Sequence, residues 1–477
     1  MTITVERREA AAAFAPGFDV ADEVVDRPIV MAWLLAGFLW LLVFPTMGVL
    51  VSTKIVYPEF LGEASWLTYG RLRPFHVNGV VWGAFSALAF GLGFYVLPRL
   101  TGRPAWGGRT LLWGIFWAWN LSTLTGLLGI LAGYNKGLEV ADSPLPLTVV
   151  QYACIALTAL SVLVTVFTRR EQKVYVALWY LMGTFVWTTL WWPLGQFILP
   201  NALPGVNNAA LHGLYLHFTV GLWTTPLGYV AIYYFLPHAV NNPLYSHRLS
   251  LIGFWALAYW YPFLGIHHYL YSPIADWAET IAIVSSMMLI IPVWTVLQNF
   301  FGTMIGKWHE FGRNLPAKFL IAGSLLYLVG CFQGSLEALR GFQKVTHFTD
   351  FVISHSHLTV FGTFVVWAIG GVFFVWPRLV GRKLWSFRMG NWAFWLMIGG
   401  VSVMGLALTA QGLMNGFELQ AGTEWVKSLI ARYPWWWFRT FTGIAMDVGI
   451  SLMVINFMMT ALWGEPLPPA KPREAAP

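Results

Sequence analysis

The stretch FVISHSHLTVFGTFVVWAIGGVFFVWP, residues 351–377, contains no Asp, Glu, Lys or Arg, yet places two histidines near its start. It is longer than the roughly 20 apolar residues that carry a helix across a bilayer core. It therefore reads as a transmembrane helix, and the histidines need a reason, because an ionisable side chain in a membrane is costly unless paired or ligated. Spacing narrows that reason. Residues i and i+2 of an α-helix lie about 200° apart, so His355 and His357 face opposite ways and suit two centres flanking one helix better than a single metal.

Working outward, runs of similar character recur along all of the chain. They fall at about 28–52, 75–98, 110–133, 147–168, 174–199, 209–236, 249–270, 277–300, 317–339, 351–377, 389–414 and 440–463. With 57% hydrophobic and 10% charged residues among 477, and 28 Trp, the balance is that of an integral membrane protein. The expected fold class is all-α, a polytopic bundle of twelve transmembrane helices over residues 28–463, with short tails at 1–27 and 464–477 and no separate soluble domain.

Basic residues test that topology. Arg7, Arg8, Arg27, Arg99, Arg103, Arg109, Arg169, Arg170, Lys173, Arg248, Lys307, Arg313, Lys318, Arg378, Arg382, Lys383, Arg388, Lys471 and Arg473 all fall in the N-terminus, the even-numbered loops or the C-terminus. These are 19 of the 28 Lys and Arg. Both termini are expected to be cytoplasmic, in a multi-pass protein of a bacterial or archaeal-type plasma (inner) membrane. The net charge of +7 then reflects topology and implies no nucleic-acid partner. Residues 1–27 lack the apolar core of a cleavable signal peptide. Cys154 and Cys331 are the only cysteines, each inside an expected span, and no CxxCH haem-attachment motif occurs, so any c-type haem is expected on another chain.

Of the eleven histidines, His212, His238, His247, His309 and His347 lie at expected helix ends or loops and read as interfacial. The other six are His76, His217, His267, His268, His355 and His357. With both termini inside, these six come from four helices and all fall in the outer part of the membrane. Neutral imidazole is a common ligand for copper, and two imidazoles can hold a haem iron from opposite faces.

The residues that carry these histidines resemble a known family. RLRPFHVNGVVWGAF (71–85), the run from YLHFTVG to GIHHYLY (215–271) and THFTDFVISHSH (346–357) look like the catalytic subunit of haem-copper oxygen reductases, above all the C family, the cbb(3)-type cytochrome c oxidases. The resemblance implies that His217, His267 and His268 hold the copper ion CuB. It makes His355 the ligand of a high-spin haem b, and His76 and His357 the two ligands of a low-spin haem b. Tyr261 stands where the family has a tyrosine joined to the histidine matching His217 and supplying a proton and an electron. Seven residues before His268, it is expected two helical turns deeper on nearly the same face. Ser250 and Tyr327 match positions of a proton path. Glu139 resembles a calcium-binding glutamate, and Arg439 is placed to pair with haem propionates. Asp447, an acid well inside a span, has no assigned role.

The implied activity is a respiratory terminal oxidase. Electrons come from a cytochrome c subunit, membrane-bound or soluble, protons come from the cytoplasm, and oxygen is reduced to water. Two departures keep nitric oxide reduction open as an alternative. Gln333 stands where the C family typically has a glutamate near the high-spin haem, and HFTVGLW replaces the expected HNAVGF. Against that alternative, cytochrome-c-dependent nitric oxide reductases carry a glutamate at the position of Gly221 and lack the tyrosine matching Tyr261. A secondary transporter also suits the composition, but it predicts internal repeats, which are not evident, and has no use for six histidines at one depth.

Overall fold

The computed structural model describes residues 24–467, so the expected tails 1–27 and 464–477 lie almost wholly outside the described residues. The chain runs through helices α1 (Arg27–Val56), α2 (Tyr69–Thr101), α3 (Gly108–Ala132), α4 (Leu145–Phe167), α5 (176–202), α6 (206–240), α7 (His247–Tyr269), α8 (Asp276–Thr303), α9 (Leu315–Glu337), α10 (Asp350–Val380), α11 (Phe387–Gln420) and α12 (Trp425–Trp463). A short helix, Arg340–Thr346, joins α9 to α10. No strand occurs among the described residues, only an isolated bridge between Arg382 and Pro466. Ten of these helices are long and apolar enough to cross a membrane. The remaining two expected spans are helical as α5 and α6, but stretches such as TFVWTTLWWP (184–193) dilute their mean hydropathy with Trp and Thr.

Burial sorts the helices. The most apolar windows of α2 and α10 are 94% buried, whereas that of α7 is 28% buried. A helix that is apolar all round and buried all round belongs at the centre. Accordingly α2, α6 and α10 touch one another in the middle of the bundle, α9 lies along α10, α11 and α12 pair with each other, and α12 reaches α1. Large side chains left exposed on the periphery, such as Leu190, Trp255, Phe332 and Leu406, would be a liability in water and suit a lipid-facing surface.

Three departures from regular helix position the site. First, α2, α6 and α10 each contain a π-helical segment, Gly79–Phe85, Thr219–Thr224 and His357–Val365, beginning at or just after a histidine. Such bulges cluster at functional sites because they re-aim side chains. Second, the α-helical part of α7 ends at Trp260, and Tyr261–Phe263 and Gly265–Tyr269 form 3-10 turns. Pro262 has no N–H to continue the helix. This corrects the expectation that Tyr261 and His268 are two α-helical turns apart: a 3-10 turn has about three residues and rises about 2 Å per residue. Third, α11 and α12 outrun their expected spans 389–414 and 440–463, with α12 beginning fifteen residues early at Trp425 and running through Pro434.

Candidate metal centre

His217 and His267 approach through their Nε2 atoms at 2.8 Å. The ring of His268 lies 4.6 Å, centroid to centroid, from each of the other two. One nitrogen from each residue falls within a set whose members lie no more than 4.8 Å apart, the only such group of three or more ligating side chains among the described residues. Backbone approach makes this possible. A Cβ on Gly265 would collide with the backbone of Gly213 and Leu214, so the glycine lets the 3-10 turn of α7 sit directly on α6.

Hydrogen bonds fix which nitrogen of His267 is free. Ser286 donates its hydroxyl proton to the Ala282 carbonyl at 2.6 Å, so its oxygen accepts from His267 Nδ1–H, also at 2.6 Å. His267 Nε2 is therefore the lone-pair atom, and it is the one turned into the cluster. An outer group that orients a ligand in this way is typical of metal sites. His217 Nδ1 is buried without a hydrogen-bond partner.

The two histidines of SHSH part company as their spacing predicts. His355 acts electrostatically on His217 and His267, and His268 acts on it, so it belongs beside the three-histidine cluster. His357 instead adjoins His76, and Arg439 acts on both. His76 Nδ1 donates to the Phe44 carbonyl at 2.7 Å and His357 Nδ1 to the Ile353 carbonyl at 2.8 Å, which leaves each Nε2 as a lone-pair atom. Gly48 on α1 is needed where it is, because a Cβ there would lie 2.5 Å from His76 Cε1.

The Tyr261 ring centroid is 5.6 Å from that of His217. Its hydroxyl faces Thr225. Ser250 and Tyr327 lie in two separate hydrogen-bonded groups. Asn299 Nδ2 donates to Ser250 Oγ at 3.1 Å and to Tyr233 at 3.4 Å, while Tyr327 and Tyr229 share a hydroxyl contact of 2.5 Å. Tyr180 packs its ring against both Tyr229 and Tyr233, with its own hydroxyl buried and without a hydrogen-bond partner. Gln333 donates to Thr409 at 2.8 Å.

Glu139, in the loop between α3 and α4, is held by Arg73 at 2.5 Å and belongs to no group of three or more ligating side chains among the described residues. In the same loop, burial pushes the Asp142 carboxyl above its ordinary range despite bonds from Asn78 and Asn135. Burial also pushes Lys136 down to about 8. His212 is a correction: it is 5% exposed, not interfacial, and its Nε2 bonds the Glu139 carbonyl at 3.0 Å. Sequence reasoning also missed Ser286, Asn299 and Tyr229. A lone serine or asparagine in an apolar run has no signature, although the Tyr229, Tyr233 spacing of one helical turn was visible.

Residues 28–445 match the family model described as Cytochrome C and Quinol oxidase polypeptide I. The chain belongs to that family. A cytochrome c oxidase subunit 1 homolog of Agrobacterium tumefaciens (strain T37) is 30% identical, over 92% of this chain and 84% of the relative. The cbb3-type cytochrome c oxidase subunit CcoN1 of Stutzerimonas stutzeri is 26% identical, over 92% and 95%. A cryo-EM structure of a haem-copper terminal oxidase dimer shares the fold with a TM-score of 0.73, at 17% identity, covering 92% of this chain and 84% of that one. As a cytochrome c and quinol oxidase polypeptide I, the chain is a membrane oxidoreductase of the haem-copper superfamily, and that membership implies haem and copper.

Proposed function

We propose that this subunit reduces oxygen to water with electrons from a cytochrome c partner, and that nitric oxide is not its main substrate. The observation that carries the reading is the seat of Tyr261. A Cβ at Gly221 would fall inside the Tyr261 ring, so the glutamate of nitric oxide reductases has no room here while the tyrosine is in place. The test is consumption of oxygen and of nitric oxide by the purified reduced complex, side by side with one donor. Faster nitric oxide turnover would overturn the reading.

The donor set fits the implied groups. Two ligand atoms about 2 Å from one ion lie no more than about 4 Å apart, so a triad spanning 4.8 Å closes on copper with small side-chain movement. His217, His267 and His268 are assigned to CuB, His355 to a high-spin haem b, and His76 and His357 to a low-spin haem b, with Arg439 toward its propionates. When bound, iron and copper supply the redox chemistry at which oxygen is reduced.

The chain's own residues do the rest. Ser286 holds His267 in one tautomer, and the carbonyls of Phe44 and Ile353 do the same for His76 and His357. Tyr261 presents a phenol, a source of one proton and one electron, beside His217. Ser250 and Tyr327 belong to its proton supply, Ser250 with Asn299 and Tyr233 around it and Tyr327 with Tyr229 beside it. Glu139 already has one carboxylate oxygen in an ion pair with Arg73, so an ion-paired role is the stronger reading over calcium. The basic-residue pattern supports cytoplasmic termini, with residues 28–463 as one catalytic unit that takes its protons from the cytoplasm.

A further inference from the structure

Gln333 removes a carboxyl from the ninth helix at the position where the resembled family has one. Four residues on, the same helix carries Glu337, which none of the assignments above uses. We propose that Glu337 is the proton-holding carboxyl of this centre, displaced by one helical turn from position 333.

Register places it. A Cβ on Gly330 would press on the Thr359 side chain, and one on Gly334 would lie 2.9 Å from His355 Cε1. Four residues along α9 thus correspond to four residues back along α10. Glu337 comes three residues after Gly334, about 60° off its direction and about 4.5 Å further along the axis. It stands one turn beyond His355 on the face that α9 turns to α10.

Hydrogen bonding gives it a task. Glu337 Oε1 is buried without a partner, and so is Gln333 Oε1 one turn away. Thr409 takes the Gln333 amide N–H and so fixes which end of that amide is the oxygen. Both orphan atoms are acceptors, and buried acceptors require a donor. A carboxyl proton on Glu337 would turn one of these two acceptors into a donor, one helical turn from the other. The nearest cation in sequence, Arg340, pairs with Glu279 at 3.2 Å, so Glu337 is not half of that salt bridge. An electron arriving at a buried centre favours a proton close by, because opposite charges interact strongly where water is scarce. Reduction should therefore change the proton or the hydrogen bond of this carboxyl.

The test is redox difference infrared spectroscopy on the holoenzyme, without substrate gas. A carboxyl C=O band should change on reduction, shift in D2O and vanish in Glu337→Gln. The same variant should lose about tenfold or more in turnover, with both haem spectra and carbon monoxide binding retained. The double variant Q333E/E337Q should restore a band and turnover. If Glu337→Gln does not assemble with haem, Glu337→Asp, which keeps a shorter carboxyl, must move the band. No carboxyl band in the wild type, or a band unaltered in the variants, overturns the proposal. It rests on the haem-copper reading but not on which gas is reduced: a band lost in Glu337→Gln from an enzyme that prefers nitric oxide would sink the oxidase reading and keep this one.

Discussion

The side chain of Tyr261 occupies the space that a Cβ on Gly221 would need. The two positions therefore exclude each other, and the tyrosine keeps its place beside His217 because α6 offers no side chain there. Gly221→Ala is expected to push the phenol away from the cluster. Oxygen turnover should fall by about 10²- to 10⁴-fold, the range for losing a positioned proton donor, while both haem spectra persist. Tyr261→Phe should reproduce the loss without the crowding. Full turnover in both variants would show that the phenol is a packing residue.

Ser286 is the only side chain bonded to His267 Nδ1 among the described residues, and its own proton is committed to Ala282. Ser286→Ala should release the imidazole from its tautomer and lower copper affinity by about 10- to 100-fold. Metal analysis after dialysis against a weak chelator checks this. Copper should drop with haem content unchanged, and equal copper retention would show that the hydroxyl does not orient the ligand.

His76 and His357 are each tied through Nδ1 to a backbone carbonyl, on α1 and α10 respectively. His357→Ala is expected to abolish the low-spin haem spectrum and spare the high-spin one. Gly48→Val should have a milder effect on the same spectrum, because the new side chain meets the His76 ring. An unchanged low-spin spectrum in His357→Ala would refute that assignment.

Asn299 is fully buried and joins Ser250 to Tyr233. Replacing it with leucine keeps the volume and removes the bridge. Turnover limited by proton delivery should fall by about 10²-fold, and Tyr229→Phe should act in the same direction by breaking the contact with Tyr327. Electron transfer into the haems should stay fast in both. Slowed haem reduction instead would mean that the packing, not the proton supply, was damaged.

Much of this site was legible because it depends on local geometry. The 200° separation of His355 and His357 follows from the helical step alone, and the structure sends them to different neighbours. What the sequence hid depends on contacts between distant segments. His212 is buried because the α3–α4 loop folds over it, and no local pattern records that loop's path. The descent from Tyr261 to His268 was misjudged because Pro262 and the close approach of Gly265 to Gly213 turn an expected α-helix into 3-10 turns. Helix α12 starts early because its first turns are amphipathic, with Ser428 and Arg432 buried against α11, and such a stretch carries no transmembrane signal.

Lys136 offers a test of the loop that covers this side of the bundle. Its ammonium donates to Gln196 at 2.6 Å, and burial lowers it from an ordinary 10.5 to about 8. Between those two values the unfolded chain binds a proton that the folded chain does not. Stability therefore rises with pH across this window, whereas below about 8 the cost of the buried charge is constant. Lys136→Met removes the titration. The wild type should gain thermal stability relative to the variant as pH is raised from about 8 to about 10, read as the temperature of half-inactivation in detergent. A difference that stays flat with pH would show that the Lys136 ammonium is solvated and that the loop does not close over it.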